Sequence, residues 1–204
     1  MVCRTKPWFF RSVPFPIRSV IQKHLRAQLL KEKQTRIING QGVDELRYPY
    51  FSLMYGRSLC GGVLIGPRLV LSAAHCEDAA DDFRIGAFQA PTHGQEVGIR
   101  STIVHPKYEN ERFDNDIMLF VLKEEAEYPY IRMDRERIDG GEYTVLGFGD
   151  TDKGSDLELS DELHEVELFY VDNDTCDEGH GGRNEVLEDM MCMAGDNKDS
   201  CIGE

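Results

Sequence analysis

The stretch Leu71-Ser72-Ala73-Ala74-His75-Cys76 places a histidine and a cysteine directly after an apolar run. Just upstream, Val63–Ile65 and Leu69–Leu71 flank Gly66-Pro67, a pair that supplies turn dihedrals, so we predict two short strands joined by a tight turn. His75 then follows the end of the second strand. Taken alone, a histidine there is more often a packed structural group than a catalyst. Its role must therefore be decided by the rest of the chain.

Short apolar segments alternate with turns between residues 50 and 121. Six strands at this spacing indicate a small closed antiparallel barrel. The predicted strands are Tyr50–Met54, Gly62–Ile65, Leu69–Ser72, Phe83–Ala87, Val97–Val104 and Ile117–Val121.

The chain after this barrel is predicted to form a second lobe. Residues 123–142 are charged and punctuated by Tyr128-Pro129 and Gly140-Gly141, which is typical of a connecting loop. Three further strands are predicted in the lobe, at Tyr143–Gly147, Leu163–Phe169 and Met190–Ala194.

Charge is distributed unevenly along the 204 residues. Residues 1–36 contain nine Lys and Arg against one acid, whereas residues 37–204 contain fourteen against thirty-six, which gives net charges of +8 and −22. A region this acidic repels phosphate groups, which argues against a nucleic-acid partner, and it attracts cationic peptides. No stretch approaches the roughly eighteen apolar residues that span a bilayer, so we do not expect a membrane-spanning protein.

The first 36 residues form a basic segment with apolar residues at helical spacing. The segment lacks the continuous apolar core of a secretory signal and is expected to be poorly ordered. A propeptide, an organelle transit peptide and a mis-assigned start of the reading frame fit it about equally well. At its end, cleavage after Arg36 would leave a new amino group on Ile37, although the start of a strand is the simpler interpretation of that position.

The cysteines favour disulfides over a structural zinc site, because none of them is in a C-x-x-C pair. Pairing Cys60 with Cys76, and Cys176 with Cys192, would close two loops of about sixteen residues, each worth about 3 kcal/mol. Such bridges indicate an oxidising compartment. Two cysteines are left without an assigned partner by this pairing, Cys3 and Cys201.

A second candidate for chemistry is Asp114-Asn115-Asp116-Ile117-Met118-Leu119, where acids come directly before an apolar strand. The carboxylate of Asp116 could accept the Nδ1 hydrogen of a histidine, select its tautomer and stabilise the imidazolium formed in catalysis. A turn-capping aspartate that begins the strand is the alternative, and local sequence alone favours it.

In their order and approximate spacing, six stretches together resemble the trypsin-like serine proteases of the chymotrypsin-fold family. The resemblance covers residues 37–204. It implies an all-β fold of two antiparallel six-stranded barrels with the active site between them: a first barrel at about 37–122, a linker at about 123–142, and a partial second barrel at about 143–204. The six stretches are Arg36–Gly40, Cys60–Gly62, Leu71–Cys76, Asp114–Leu119, Gly147–Gly149 and Asp199–Cys201.

The resemblance implies a role for each residue that matches the family's motifs. His75 is the implied general base and Asp116 its orienting partner. Gly203 would contribute one backbone N–H to the oxyanion hole. Asp199 would lie at the base of the specificity pocket, lined also by Ser200, and its buried carboxylate would select Lys or Arg before the cut bond.

The resemblance extends to activation and to the disulfides. Arg36 and Ile37 match the activation cleavage site of the family's zymogens. The pairs Cys60–Cys76 and Cys176–Cys192 match bridges usual in the family, and Cys201 matches a cysteine whose usual partner lies after residue 204.

One departure from the family concerns the nucleophile. The family continues from the residue matched by Gly203 with Asp-Ser-Gly-Gly-Pro, in which the Ser is the nucleophile, whereas this sequence continues with Glu204 as its last residue. We hypothesise a truncated reading of a longer gene and expect the literal chain to be inactive. An in-frame stop directly after Glu204 in the transcript would contradict this hypothesis.

The predicted function is hydrolysis of peptide bonds after Lys or Arg through an acyl-enzyme, in the full-length product. The alternative is a non-catalytic serine-protease homologue that binds or regulates partners. Expected partners are peptide or protein substrates with Lys or Arg, an activating protease and protein inhibitors, and neither a cofactor nor a metal site is expected. An extracellular or secretory location is favoured, with organelle targeting as the alternative. Asn173-Asp174-Thr175 matches the short glycosylation pattern, which is often accidental.

Overall fold

The computed structural model shows a mostly β protein with one α-helix, α1 (Asn173–Gly179), among the described residues. The strands are β1 (Gln41–Gly42), β2 (Phe51–Tyr55), β3 (Leu59–Gly66), β4 (Leu69–Ser72), β5 (Asp82–Ile85), β6 (Gln95–Val104), β7 (Met118–Leu122), β8 (Glu142–Gly147), β9 (His164–Val171) and β10 (Cys192–Ala194). The structure describes residues 40–90, 92–133, 140–148, 160–179 and 186–195. The basic segment 1–36 lies outside these residues.

Six strands close an antiparallel barrel in the order β2-β3-β4-β7-β6-β5, and β5 pairs back with β2. The barrel predicted from the sequence is therefore confirmed, with strand ends shifted by up to three residues. The largest shift is at the start of β3, which begins at Leu59 because Cys60-Gly61-Gly62 continue the ladder opposite β2. Two glycines in a strand weaken the sequence pattern without preventing this pairing.

Alternation of buried and exposed residues builds the barrel interior. Every second residue of β3 is buried, so one face of the strand packs inward. Phe83 and Phe120 are fully buried and meet edge to face, with ring centroids 5.0 Å apart. Gly62 allows the packing beside them, since an added Cβ would come within 2.8 Å of a Val70 methyl carbon. The barrel is thus filled by side chains.

The second lobe is built on β9, which pairs with β1, β8 and β10, all antiparallel. The three predicted strands of this lobe correspond to β8, β9 and β10. Gln41 and Gly42 lie in the range that was grouped with the first barrel, yet β1 pairs with β9 in the second sheet. The chain entering the fold therefore begins on the second lobe and then crosses to the barrel.

A shared apolar cluster joins the two lobes. Phe51 and Leu53 of β2 pack with Phe148 and Leu163 from the second lobe, and all four are buried. The rings of Phe51 and Phe148 are 5.9 Å apart between centroids.

Among the described residues, no helix is long and apolar enough to cross a membrane.

Candidate active site

His75 lies in a short 3-10 turn, Ala74–Cys76, directly after β4. Ala74 and Cys76 are buried on either side of it, and Cys76 is joined by a disulfide to Cys60 of β3. The turn is closed by a hydrogen bond from the Cys76 N–H to the Ala73 carbonyl, 3.2 Å. With its neighbours packed inward, the His75 side chain is directed outward and is 43% exposed.

Asp116 precedes β7 and is 4% exposed. Its Oδ2 lies 2.7 Å from His75 Nδ1, and its Oδ1 accepts a hydrogen bond from the His75 backbone N–H at 2.9 Å. One carboxylate thus holds both the ring and the backbone of the histidine. The strands next to these residues in the sequence, β4 before His75 and β7 after Asp116, are paired neighbours in the barrel.

This contact determines the tautomer of the histidine. An ionised carboxylate can only accept hydrogen bonds, so the His75 Nδ1 carries the hydrogen and Nε2 is left able to accept a proton. The carboxylate also acts on a second neighbour. Burial, and after it the negative charge of Asp116, raise the pKa of the Tyr108 hydroxyl. Such an arrangement could let His75 act as a general base with Asp116 as its orienting acid.

Two residues beside this pair, Phe113 and Asn115, make contacts that were not predicted from the sequence. The Phe113 ring meets the His75 ring edge to face at 5.7 Å, and Asn115 donates its backbone N–H to the carboxylate of Asp189 at 2.8 Å. Phe113 and Asn115 have φ of 54° and 52°, a conformation uncommon for residues with a side chain. The hydrogen bond between Asn115 and Asp189 joins two distant parts of the chain, so no local sequence pattern predicts it.

The structure brings together only some of the residues singled out in the sequence. His75 and Asp116 are in contact, and both disulfides, Cys60–Cys76 and Cys176–Cys192, are formed. The remaining candidates lie outside the described residues, so their roles stay predictions: Arg36, Ile37, Asp199, Ser200, Gly203, Cys3 and Cys201.

The cluster Cys60, His75 and Cys76 brings three residues of metal-binding types together, with ligand atoms within 4.8 Å of one another. The two sulfurs are bonded to each other in the disulfide, so neither is a thiolate ligand. The cluster is accounted for by a bridge that supports the turn of the histidine.

Asn173, in the short glycosylation pattern, begins α1. Its side-chain amide nitrogen donates to the backbone carbonyls of Leu187 and Met190 at 3.0 and 3.2 Å. A glycan on this nitrogen would replace one of the two donating hydrogens. The amide therefore has a structural use, which is to tie α1 to the loop before β10.

The closed six-stranded barrel and the buried aspartate that orients an exposed histidine define the chain as a chymotrypsin-fold serine protease in class. The Trypsin family model matches residues 37–204. The chain therefore belongs to the trypsin family.

Individual relatives are similar to this chain over most of its length. Trypsin II-P29 of Gallus gallus is 31% identical over 83% of this chain, and the chain spans 71% of that protein. Mannan-binding lectin serine protease 1 of Homo sapiens is 27% identical over 85% of this chain, which spans 29% of that larger protein. The solved structure of neuropsin, a serine protease of mouse brain, has a TM-score of 0.70 and 25% identity, and the match covers 81% of this chain and 78% of that one.

Proposed function

We propose that the full-length product is a serine endopeptidase that cleaves after Lys or Arg. The observation that carries this proposal is the pair of hydrogen bonds that the buried Asp116 carboxylate accepts from the ring and the backbone of His75, at 2.7 and 2.9 Å. These contacts engage Nδ1 and the backbone, so Nε2 is the ring nitrogen that would take a proton from a nucleophile. In the family the nucleophile is the serine two residues after the position that Gly203 matches, and we assign the same role to such a serine in the full-length product.

Hydrolysis of the peptide bond would proceed in two steps, acylation of the serine and then deacylation by water. In the first, the serine oxygen bonds to the scissile carbonyl carbon while His75 Nε2 takes the hydroxyl proton and then passes it to the leaving amine. In the second, a water loses its proton to the same nitrogen, attacks the acyl-enzyme and releases the acid, and the proton returns to the serine. Asp116 stays ionised throughout and stabilises the imidazolium. The Gly203 N–H would stabilise the oxyanion.

Specificity for Lys or Arg is assigned to Asp199, with Ser200 beside it in the pocket. A buried carboxylate requires a cationic partner, and a substrate side chain would supply it. The acidic region of net charge −22 supports this assignment, because its field attracts cationic peptides. Kinship with proteins named trypsins also supports it.

Activation is assigned to cleavage after Arg36, which would free the amino group of Ile37 and convert a zymogen. The site falls where the basic segment meets the acidic region. The two disulfides in the described part of the chain support an extracellular or secretory location, since such bonds persist in oxidising compartments.

The test begins by sequencing the transcript from the codon for Glu204 onward, and an in-frame stop directly after that codon would contradict the proposed longer product. The product that carries the residues after Glu204 is purified, cleaved after Arg36, and assayed on matched peptide amides that differ only in the residue before the cut bond. We expect kcat/KM for Lys and Arg to exceed that for Phe by about a hundredfold or more. An H75A control should lose activity by roughly a million-fold.

Two outcomes of the peptide assay would also contradict the proposal. Equal cleavage after Phe and Arg would overturn the specificity assigned to Asp199. A cleaved product that carries the serine and fails to hydrolyse any of the peptides, while it binds a partner tightly, would favour the non-catalytic homologue instead.

A further inference from the structure

A second buried carboxylate lies far from the histidine, in the sheet of the second lobe. Glu165 of β9 is 3% exposed. An ionised carboxylate at this depth is costly unless other groups pair with it. Three side chains meet it: the amide nitrogen of Gln41 at 2.7 Å, a guanidinium nitrogen of Arg47 at 3.2 Å, and the hydroxyl of Tyr48, which donates a hydrogen bond.

All three partners come from one short segment of the chain, residues 41–48, and each is more than one hundred residues away from Glu165 in sequence. The backbone of this segment is held on β9 by only a two-residue strand, Gln41–Gly42, followed by a hydrogen bond from Val43 to Leu163. So short a ladder contributes few hydrogen bonds, so side chains supply much of the attachment. The contacts of Glu165 add to the apolar packing of Val43 and Tyr48 and to the 3.5 Å contact of Glu45 with His93.

The electrostatics of the cluster are consistent with a permanent contact. Burial raises the pKa of the Tyr48 hydroxyl, as does its hydrogen bond to Glu165, so this hydroxyl keeps its proton and remains a donor. The Arg47 guanidinium lies over the Tyr48 ring, 5.4 Å from its centroid. The half-exposed arginine is thereby held back against the sheet.

We propose that Glu165 is a positioning residue that clamps residues 41–48 onto β9 and thereby protects the bond after Arg47 from proteases that cut after arginine. The inference rests on the proposed function through one point, that maturation requires cleavage after Arg36. A protease with that specificity meets a second arginine only eleven residues later in the sequence. The clamp makes the two bonds unequal, because an arginine bound to Glu165 cannot also enter a protease pocket.

The clamp also limits the distance that the amino group of Ile37 can extend from the fold after cleavage. The bond after Arg36 lies four residues before Gln41. At 3.3–3.6 Å per extended residue, the amino group of Ile37 can reach no further than about 14 Å from the Gln41 backbone. While the clamp is intact, Gln41 stays fixed on β9 and limits how far the amino group of Ile37 can extend. Cleavage after Arg47 would instead separate Gln41 and the new amino terminus from the rest of the chain.

The experiment uses the 204-residue chain with its disulfides oxidised and a low dose of added trypsin. Mass spectrometry follows the products that begin at Ile37 and at Tyr48. In the parent chain we expect the Ile37 product to dominate. In E165Q the Tyr48 product should form about tenfold faster or more, because hydrogen bonds to a charged group are lost and the open state of the segment is more populated. Y48F, which removes one hydroxyl, should give a smaller increase.

The matched control is E167Q, on the same strand. Glu167 accepts a hydrogen bond from Thr144 of β8, the strand that pairs with the opposite edge of β9 from β1. We expect the parent rate of cleavage after Arg47 in this variant.

The outcomes separate the clamp from the proposed function. The clamp is overturned if E165Q leaves cleavage after Arg47 unchanged, or if cleavage after Arg57 and Arg68 accelerates by the same factor, which would indicate general destabilisation. If trypsin fails to cut after Arg36 while Arg47 is protected in the parent and released in E165Q, the activation assignment fails and the clamp stands.

Discussion

At the scale of single residues, two buried carboxylates of this protein have different uses because they meet different partners. Asp116 is 4% exposed, and its contacts are with a histidine whose side chain is 43% exposed. Glu165 is 3% exposed, and its three partners are structural side chains. The proposed role of each buried carboxylate therefore depends on its partners. A partner that can take up and release a proton suggests catalysis, whereas partners that only donate hydrogen bonds suggest attachment.

Replacement of Asp116 by asparagine tests the orienting role. In the full-length product that carries the serine, we expect D116N to lower kcat by about ten-thousand-fold with little change in KM. The amide can donate to Nδ1, so the hydrogen moves to Nε2 and the ring no longer accepts a proton. Steady-state kinetics measure the effect. D114N is the matched control, and a loss of less than tenfold in D116N would contradict the role.

His164 supplies a prediction about pH. It is buried, its Nδ1 has no hydrogen-bond partner in the described part of the chain, and burial lowers its pKa below the ordinary value of 6.5. Below that value the unfolded chain therefore binds a proton that the folded chain does not, so the free energy of unfolding decreases as the pH falls from 6.5 towards the lower folded pKa.

Urea unfolding of the 204-residue chain at about pH 7.5 and about pH 5.5 measures this dependence. We expect the loss of stability between the two values to be smaller in H164Q. The carboxyl of Asp172, whose pKa is lowered chiefly by a hydrogen bond from the Thr175 backbone, affects stability in a separate window, below its ordinary value of 3.8. An identical loss in the parent and in H164Q would show that His164 is not responsible.

At the scale of elements, the barrel strands are determined by alternation. Phe120 of β7 is completely buried, whereas Ile103 of the paired strand β6 is 55% exposed, although both are large apolar residues. Only the side that faces the interior contributes packing energy. Strand ends are less determined, as β3 shows, because the ladder continues through residues whose side chains carry no apolar signal.

Two alanine substitutions on neighbouring strands test this difference. We expect F120A to lower the free energy of unfolding by about 3–5 kcal/mol, since a fully buried ring leaves a cavity. I103A should cost less than about 1 kcal/mol, because its side chain already contacts water. Urea titration of the 204-residue chain measures both. Comparable losses would contradict the assignment of the barrel interior.

At the scale of the whole molecule, the lobes are joined by side chains as well as by the chain itself. Phe51 and Leu53 face Phe148 and Leu163 across the junction. Strand β1 adds a second connection, since it pairs with β9 before the chain continues into the barrel. Two lobes joined this way are expected to unfold together.

F148A tests the coupling between the lobes. Removal of this fully buried ring should reduce stability by about 3–5 kcal/mol and, because the lobes are expected to unfold together, should accelerate hydrogen exchange in β8 and β9 and in the barrel strands by similar factors. F83A, which creates a cavity inside the barrel alone, is the matched comparison and should likewise accelerate exchange in β8 and β9. Acceleration that stays confined to β8 and β9 in F148A, or to the barrel in F83A, would show that the junction does not couple the lobes.

Much of this protein follows from its sequence. The period of two in the apolar residues, together with Gly and Pro at the turns, determined six barrel strands, because alternation records which face of each strand is buried. The motifs around His75 and Asp116 identified the family when taken jointly, although each of them alone favoured a structural interpretation.

What only the tertiary structure decided is which distant side chains meet. The pairing of β4 with β7 places Asp116 against His75 across 41 residues, and the pairing of β1 with β9 places Arg47 and Tyr48 against Glu165 across more than one hundred. Periodicity contains no information about such pairs, since it describes each strand separately. Register and closure join the strands, and these depend on packing throughout the molecule.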